Sequence, residues 1–142
     1  MRKNRFLIVL LVLAALIIVA LAVARLSLRG NENLRSLESR FSIHVAARLS
    51  RSQITLPADF NGANWGLKQM LIRQAGYDLT PYAGSTVTLE NYLLRERYRW
   101  IIPLHLLLML KDGKVIGAYA AVDNAWGLLP GVFSLPEVGK KD

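Results

Sequence analysis

The sequence predicts an α+β protein, with an N-terminal transmembrane helix followed by a small extracytoplasmic domain. In that domain one main helix packs on an antiparallel sheet of about four strands, in the order β-α-β-β-β. Three observations predict this fold. An unbroken apolar run extends from Phe6 to Ala24, several alternating or β-branched segments follow it, and Asp112-Gly113 separates the last two segments. An Asp-Gly pair supplies the two positive φ angles that the type I′ turn of a β-hairpin requires.

The apolar run is long enough to cross a membrane. As a helix, residues 6–24 would extend over roughly 28 Å, close to the thickness of the hydrocarbon core of a bilayer. The run has no polar stripe, so this helix would be surrounded by lipid. Ala22-Val23-Ala24 also fits a signal-peptide cleavage site, and cleavage stays open as an alternative. The length and branched side chains of the run favour a retained anchor.

Basic residues on either side of the run predict its orientation. Arg2, Lys3 and Arg5 precede it, whereas Arg25 and Arg29 follow it. The excess on the N-terminal side favours a cytoplasmic N-terminus, with the remaining chain outside the cell membrane in a single-pass topology. The predicted segments are a cytoplasmic tail 1–5, a signal-anchor helix 6–24, a linker 25–40, an extracytoplasmic domain 41–135 and a polar tail 136–142.

The linker and the first strand have contrasting patterns. The linker is polar, with apolar residues three and four apart, which predicts a short helix interrupted near Gly30-Asn31. Apolar and polar residues alternate from Phe41 to Val45, and this predicts the first strand. Ile54-Thr55-Leu56 is predicted to continue the extended chain.

The main helix is predicted within residues 58–76, where apolar residues share one face and Gly76 is a suitable residue to end the helix. Three strands are predicted after it, namely Ser85 to Leu94, Ile101 to Leu110 and Val115 to Val122.

The composition limits the classes of function. The chain has no cysteine, which excludes disulfides, thiolate metal sites, thiol catalysis and a lipid-modified cysteine. The formal net charge of +8 predicts anionic neighbours, either lipid headgroups or acidic wall polymers. Nucleic acid is not expected as a partner, because a domain outside the membrane seldom meets it. The sequence carries no signal for an oligomeric state.

Three segments resemble a known family. They are Ile54 to Phe60, a strand ending at proline; Gln74 to Gly84, with Gly-Tyr-Asp-Leu after a helix; and Lys114 to Gly117, in a hairpin. Together they are similar to the bacterial domain-of-unknown-function family 4830, whose members are short, mostly membrane-anchored proteins of Gram-positive anaerobes. The likeness covers roughly residues 53–132 and implies fold and placement, with no activity. The family tends to have Gly-Gly-Asp after the hairpin, where this chain has Gly117-Ala118-Tyr119, so a role tied to that acid does not carry over.

No catalytic, cofactor or metal site is predicted, and the domain is expected not to be an enzyme. His44 and His105 lie in apolar, strand-like segments, with no carboxylate at a spacing that would orient either ring. A triad of Ser42 or Ser85 with His105 and a distant aspartate stays open, because triads are assembled in space. Four aspartates are expected to be turn or cap residues without metal-ligand spacing, namely Asp59, Asp78, Asp112 and Asp123.

The candidate site for anionic ligands is the segment from Arg95 to Trp100. In an extended chain Arg95, Arg97 and Arg99 project from one face, and Tyr98 and Trp100 from the other. The arginines are suited to lipid headgroups or a wall polymer, with the aromatic rings seated in the domain or at the membrane interface. The other interpretation, which the sequence alone favours, is a solvated hairpin connection that its aromatic residues anchor to the core.

A second candidate surface is the apolar loop 126–133. Its large apolar side chains are Trp126, Leu128, Leu129 and Phe133. The loop either covers the open end of the sheet, which is favoured, or offers a surface to an envelope protein.

These observations favour a non-catalytic binding or assembly module at the outer face of the membrane. Its expected partners are membrane lipid and an envelope protein or anionic polymer. The alternative is an envelope hydrolase or another enzyme whose site is not visible in the sequence. A histidine and a carboxylate that converge in a pocket would favour the enzyme, and an exposed apolar or basic face would favour the module.

Overall fold

The structure is a computed structural model, and it describes residues 11–21, 32–122 and 131–140. The chain divides into two units, Met1–Arg35 and Ser36–Asp142. In the first unit, residues 11–21 form helix α1, and all of their side chains are exposed. Within the described ranges, no helix is long and apolar enough to cross a membrane. Both ends of the predicted span, 6–10 and 22–24, lie outside the described residues.

The remaining elements follow in a simple order. They are α2 (Glu32–Phe41), β1 (Val45–Thr55), α3 (Ala63–Gln74), a 3-10 turn (Thr80–Tyr82), β2 (Thr86–Tyr98), β3 (Ile102–Lys111), β4 (Lys114–Val122), β5 (Val132–Phe133) and α4 (Leu135–Val138). The strands form one antiparallel sheet in the order β1-β2-β3-β4-β5. The predicted α+β class is therefore confirmed. The sheet has a fifth strand beyond the four predicted, because two residues are too short to produce an alternating pattern.

The start of the sheet differs from the prediction. Phe41 ends α2 and is not in a strand, Ser42 has a positive φ of 53°, and β1 begins only at Val45. β1 then continues to Thr55 through a mostly exposed and polar stretch. This stretch carries no apolar alternation because β1 is an edge strand with most of its side chains in solvent. The predicted linker helix is confirmed from Glu32 onward, and residues 25–31 lie outside the described ranges.

Helix α3 packs on one face of the sheet. The buried side chains at this contact are Leu56, Leu71, Ile72, Leu79, Val87, Met109, Ile116 and Tyr119. Gly117 in β4 permits the close approach, since a Cβ atom there would lie 3.0 Å from Leu79 and 3.3 Å from Ile72. Gly76 follows Ala75, the C-cap residue of α3, and has a φ of 86°, which confirms its predicted role in ending the helix.

The opposite face of the central strands is also buried. Leu106 pairs with Tyr92 on one side and Ala120 on the other, so these three side chains share a face. The buried residues on this face are Tyr92, Leu94, Leu104, Leu106, Leu108, Ala118, Ala120 and Val122. Burial on both faces explains why β3 has a nearly continuous apolar sequence.

A tight turn lies at each end of β3, one before it from β2 and one after it to β4. Asp112 and Gly113, between β3 and β4, have φ angles of 50° and 76°, which confirms the predicted pair of positive φ angles. The turn between β2 and β3 was not predicted in detail, and it forms the candidate site.

The end of the chain differs from the predicted polar tail, because the boundary at 135 falls within α4. Ser134 begins α4 with a capping box, in which the Glu137 carboxylate accepts a hydrogen bond from the Ser134 backbone N–H at 3.2 Å. Leu135 and Val138 are buried. Gly139 lies so close to the carbonyl of Phe41 that a Cβ atom would overlap with it.

Candidate functional site

The turn between β2 and β3 has an unusual composition for its geometry. Tyr98 pairs with Ile102, and the backbone N–H of Ile101 donates to the Tyr98 carbonyl at 3.3 Å. The two residues after Tyr98, Arg99 and Trp100, have φ angles of 48° and 72°. Successive positive φ angles define a turn that favours asparagine and glycine, because larger side chains crowd the backbone there. In this turn both positions carry large side chains.

The predicted alternation of the arginine segment holds as far as Tyr98. Arg95 and Arg97 are exposed, whereas Glu96 and Tyr98 are half-buried. The Tyr98 ring packs against Phe133 of β5, with ring centroids 5.0 Å apart. The stem of the hairpin is thus held to the edge of the sheet.

Beyond Tyr98 the turn ends the alternation. Arg99 is exposed, the Trp100 residue is 95% exposed, and Ile101 is 79% exposed. Of the two expected places for the Trp100 ring, a position within the domain is therefore wrong, and the membrane interface stays a prediction. The Trp100 side chain lies off the sheet because the positive φ angles redirect the chain at the tip.

The arginines of the hairpin have few partners within the protein. Arg97 Nη1 donates to the Ile101 carbonyl at 3.4 Å, and the Arg99 guanidinium lies 5.4 Å from the centroid of the Tyr98 ring. Within the part of the chain that the structure describes, no carboxylate forms an ion pair with Arg95, Arg97 or Arg99. Their charges are therefore available to an external anion.

Two arginines of β1 differ in this respect. Arg51 Nε lies 3.5 Å and Arg48 Nη1 lies 4.0 Å from Oε1 of Glu90, and the Tyr92 hydroxyl donates to Glu90 Oε2 at 2.6 Å. Glu90 is buried, and sequence reasoning missed it. The sequence signal for its burial was an acidic residue within a β-branched and apolar strand. A buried carboxylate needs such partners, so Arg48 and Arg51 serve the fold.

A histidine and a carboxylate meet beside the arginines. Nδ1 of His44 lies 2.7 Å from Oε1 of Glu96, and the Arg95 backbone N–H donates to the His44 carbonyl at 2.8 Å. The expectation that no carboxylate orients either histidine is wrong for His44, because antiparallel pairing joins residues distant in sequence. The His44 side chain is 68% exposed. Oε2 of Glu96 is buried and has no hydrogen-bond partner among the described residues.

The second histidine, His105, contacts a side chain of the neighbouring strand. Nδ1 of His105 lies 3.2 Å from Oδ1 of Asn91 on the neighbouring strand. The Ser85 hydroxyl donates to the Tyr82 carbonyl at 2.5 Å. The pairing of Ser85 with His105, which the sequence left open, therefore does not form.

The described aspartates are turn and cap residues, as predicted. Asp59 accepts from the Asn61 N–H at 3.0 Å, and Asp112 lies in the β3–β4 turn. Asp78 accepts from the hydroxyl and the backbone N–H of Thr80, and these bonds lower the pKa of Asp78 to about 2. Asp123 lies outside the described residues. In the described ranges no group of three metal-ligating side chains occurs.

An open groove of about 740 Å³ lies beside α3, between Phe60, Met70 and Thr80. One of its polar groups, the buried Gln69 amide, is bonded within the protein. Nε2 of Gln69 donates to Asp78 at 2.5 Å and to Thr80 at 3.1 Å, and Oε1 accepts from the Leu79 N–H. These bonds fix the chain after α3.

The second predicted surface is mostly outside the described residues, since Trp126, Leu128 and Leu129 fall in the range 123–130. Phe133 belongs to β5 and is half-buried against Tyr98, so it supports the hairpin and is not part of an exposed loop.

The fold and the site together define an antiparallel α+β unit with an exposed basic and apolar hairpin tip. Comparison of the chain with protein-family models, with curated proteins and with solved structures finds no match. The resemblance to family 4830 stays a prediction.

Proposed function

We propose that the folded unit is a non-catalytic module that binds an anionic surface at the outer face of the cell membrane through the β2–β3 hairpin. The observation that carries this proposal is the set of three exposed arginines, Arg95, Arg97 and Arg99, which no carboxylate of the described chain pairs. An arginine near an anionic membrane contributes about 1 kcal/mol of binding free energy. Three arginines at alternate positions of one hairpin therefore give a useful affinity without a deep pocket.

The nearest acid supports this proposal. Glu96 lies between Arg95 and Arg97 in sequence, but its carboxylate contacts His44. The Glu96 carboxylate therefore interacts with His44 and does not pair with the neighbouring arginines. The positive charges of Arg95 and Arg97 stay available on the hairpin.

The test uses residues 32–142, once cooperative unfolding has shown that this fragment folds. Its binding is measured to phosphatidylcholine vesicles, to the same vesicles with phosphatidylglycerol, and to a soluble polyglycerol phosphate. The proposal expects binding to at least one anionic partner, and weakening by added salt because screening reduces exposed charge attraction. A fragment that binds neither partner at low salt would contradict the proposal, and contact with an envelope protein through Trp126, Leu128 and Leu129 would become the better hypothesis.

We also propose that residues 6–24 anchor the chain in the membrane. The support is the unbroken apolar sequence together with residues 11–21, which are helical and exposed. Alkaline washing of membranes should leave the full-length chain in the pellet. A shorter product that begins at Arg25 in the supernatant would favour a cleaved signal peptide.

A second candidate function, an envelope hydrolase, rests on the contact between His44 and Glu96. A carboxylate on Nδ1 orients an imidazole so that Nε2 is free to act as a general base. Hydrolysis of wall material by the purified protein, lost in His44→Gln, would support this function. Equal activity of the variant and the parent would exclude His44 as its base.

A further inference from the structure

The tip of the hairpin carries the two most exposed large apolar residues of the described chain. Trp100 is 95% exposed and Ile101 is 79% exposed. The two residues are adjacent, and Arg99 precedes them. An indole next to an aliphatic side chain and an arginine combines apolar surface with positive charge at one point.

The residues at the tip are not those that fold stability alone would select for its backbone conformation. The β3–β4 turn has two positive φ angles and carries Asp112-Gly113, a favoured pair for such a turn. The β2–β3 turn also has two positive φ angles but carries Arg99-Trp100. Large L side chains are strained in this conformation, and strain of this kind is typically retained at functional sites. The side chains at 99 and 100 therefore meet a requirement other than turn formation.

The stem below the tip is fixed. Tyr98 packs on Phe133, and Arg97 Nη1 donates to the Ile101 carbonyl. These contacts restrain the chain on both sides of the tip, and such restraint lowers the entropy cost of binding.

From these contacts we infer that Trp100 and Ile101 insert into the interfacial layer of a phospholipid bilayer while Arg95, Arg97 and Arg99 contact its anionic headgroups. This inference rests on the proposed function and narrows the anionic surface to a lipid membrane. A hydrated polymer offers phosphate but no apolar phase, so the two apolar side chains would gain nothing from it. A bilayer offers both, and tryptophan favours the boundary between them.

The test uses the full-length protein, reconstituted in phosphatidylcholine vesicles with and without phosphatidylglycerol. Trp65→Phe and Trp126→Phe leave Trp100 as the one tryptophan, since the chain has three. Bromine atoms on the lipid acyl chains quench an indole that reaches them. We expect strong quenching of Trp100 in anionic vesicles, and less after Arg95, Arg97 and Arg99 are changed to Gln. A matched protein that retains only Trp65, which is half-buried on α3, should be quenched less.

A substitution at Ile101 gives a second readout. In the reconstituted full-length protein, Ile101→Ser should lower the quenching of Trp100 in anionic vesicles, since one large apolar side chain no longer contributes its area to insertion. The fold should tolerate this change because Ile101 is exposed.

The outcomes separate the inference from the proposed function. Arginine-dependent vesicle binding with a Trp100 that is unquenched, in the parent and in Ile101→Ser alike, would overturn insertion and leave binding of an anionic surface intact. Loss of arginine dependence would overturn both. Quenching of Trp100 that depends on the arginines would support the inference.

Discussion

Tyr98 and Trp100 are two residues apart on the same hairpin, yet the ring of Tyr98 packs 5.0 Å from that of Phe133 while Trp100 is 95% exposed. In an uninterrupted strand the two side chains would share a face. The positive φ angles of Arg99 and Trp100 end the strand between them. Changes in the stem should therefore alter folding, and changes at the tip should alter binding.

Replacement of Trp100 by glycine should stabilise the fold. Glycine accepts a positive φ without strain, and the gain of about 1 to 2 kcal/mol is partly offset by its greater freedom in the unfolded chain. We expect a net increase of roughly 0.5 to 1 kcal/mol in the free energy of unfolding, measured by urea denaturation. Trp100→Ala is the control, because it removes the side chain but keeps the backbone strain. Equal destabilisation by both changes would mean that Trp100 packs on the domain.

Gly113→Val should destabilise the protein by more than about 1 kcal/mol. Nothing lies within 4 Å of a Cβ at Gly113, so the cost comes from its φ of 76° alone. Gly131→Val is the matched control, since Gly131 also has open space and its φ lies outside the left-handed range. An unchanged melting temperature in Gly113→Val would contradict the β3–β4 turn.

Gly139→Ala distinguishes the packed end of the chain from a polar tail. A Cβ at Gly139 would overlap with the Phe41 carbonyl, which belongs to the backbone and cannot rotate away. We expect a loss of about 1 to 3 kcal/mol, typical of overpacking, in thermal or urea unfolding. A loose tail would tolerate the change, so wild-type stability would remove the contact between the segment after α4 and the end of α2.

Asp78 should make stability depend on acid pH. Hydrogen bonds from Thr80 hold the pKa of Asp78 at about 2, below the ordinary value near 4. The unfolded chain therefore binds the proton more readily, and the carboxylate stabilises the fold above pH 4 and loses this effect as the pH falls toward 2. Asp78→Asn should lower the melting temperature at neutral pH, and its difference from wild type should shrink between about pH 4 and pH 2. Thr80→Ala should weaken this dependence, whereas a difference that is constant with pH would contradict the assignment.

The central part of the fold was predictable because the residues that end its helix and form its β3–β4 turn act through their own backbone conformation. Asp112-Gly113 fixes a turn, and Gly76 ends α3 for reasons that lie within a few residues. β1 was largely missed because an exposed edge strand needs no apolar alternation. The capping box from Ser134 to Glu137 was visible in the sequence, but the burial of Val138 depends on distant packing.

The candidate site was predictable in composition and not in geometry. The alternating arginines indicated a basic strand, and Arg95 and Arg97 are exposed as expected. The turn at Arg99-Trp100 has no asparagine, glycine or proline that would indicate it, so the extended chain was expected to continue to Trp100, whereas β2 ends at Tyr98. The contact of His44 with Glu96 arises from strand pairing, which sequence spacing does not contain.

The most direct test of the account is the affinity of the fragment 32–142 for anionic vesicles at low salt, with Arg95, Arg97 and Arg99 changed together to Gln. Three contacts of about 1 kcal/mol each predict a loss of roughly a hundredfold, with little change in stability because exposed arginines add little to folding. The control changes Lys68, Lys111 and Lys114 to Gln, which removes the same charge away from the β2–β3 hairpin and should largely preserve the affinity. An equal loss in both variants would show that net charge alone drives binding, and it would contradict a site at this hairpin.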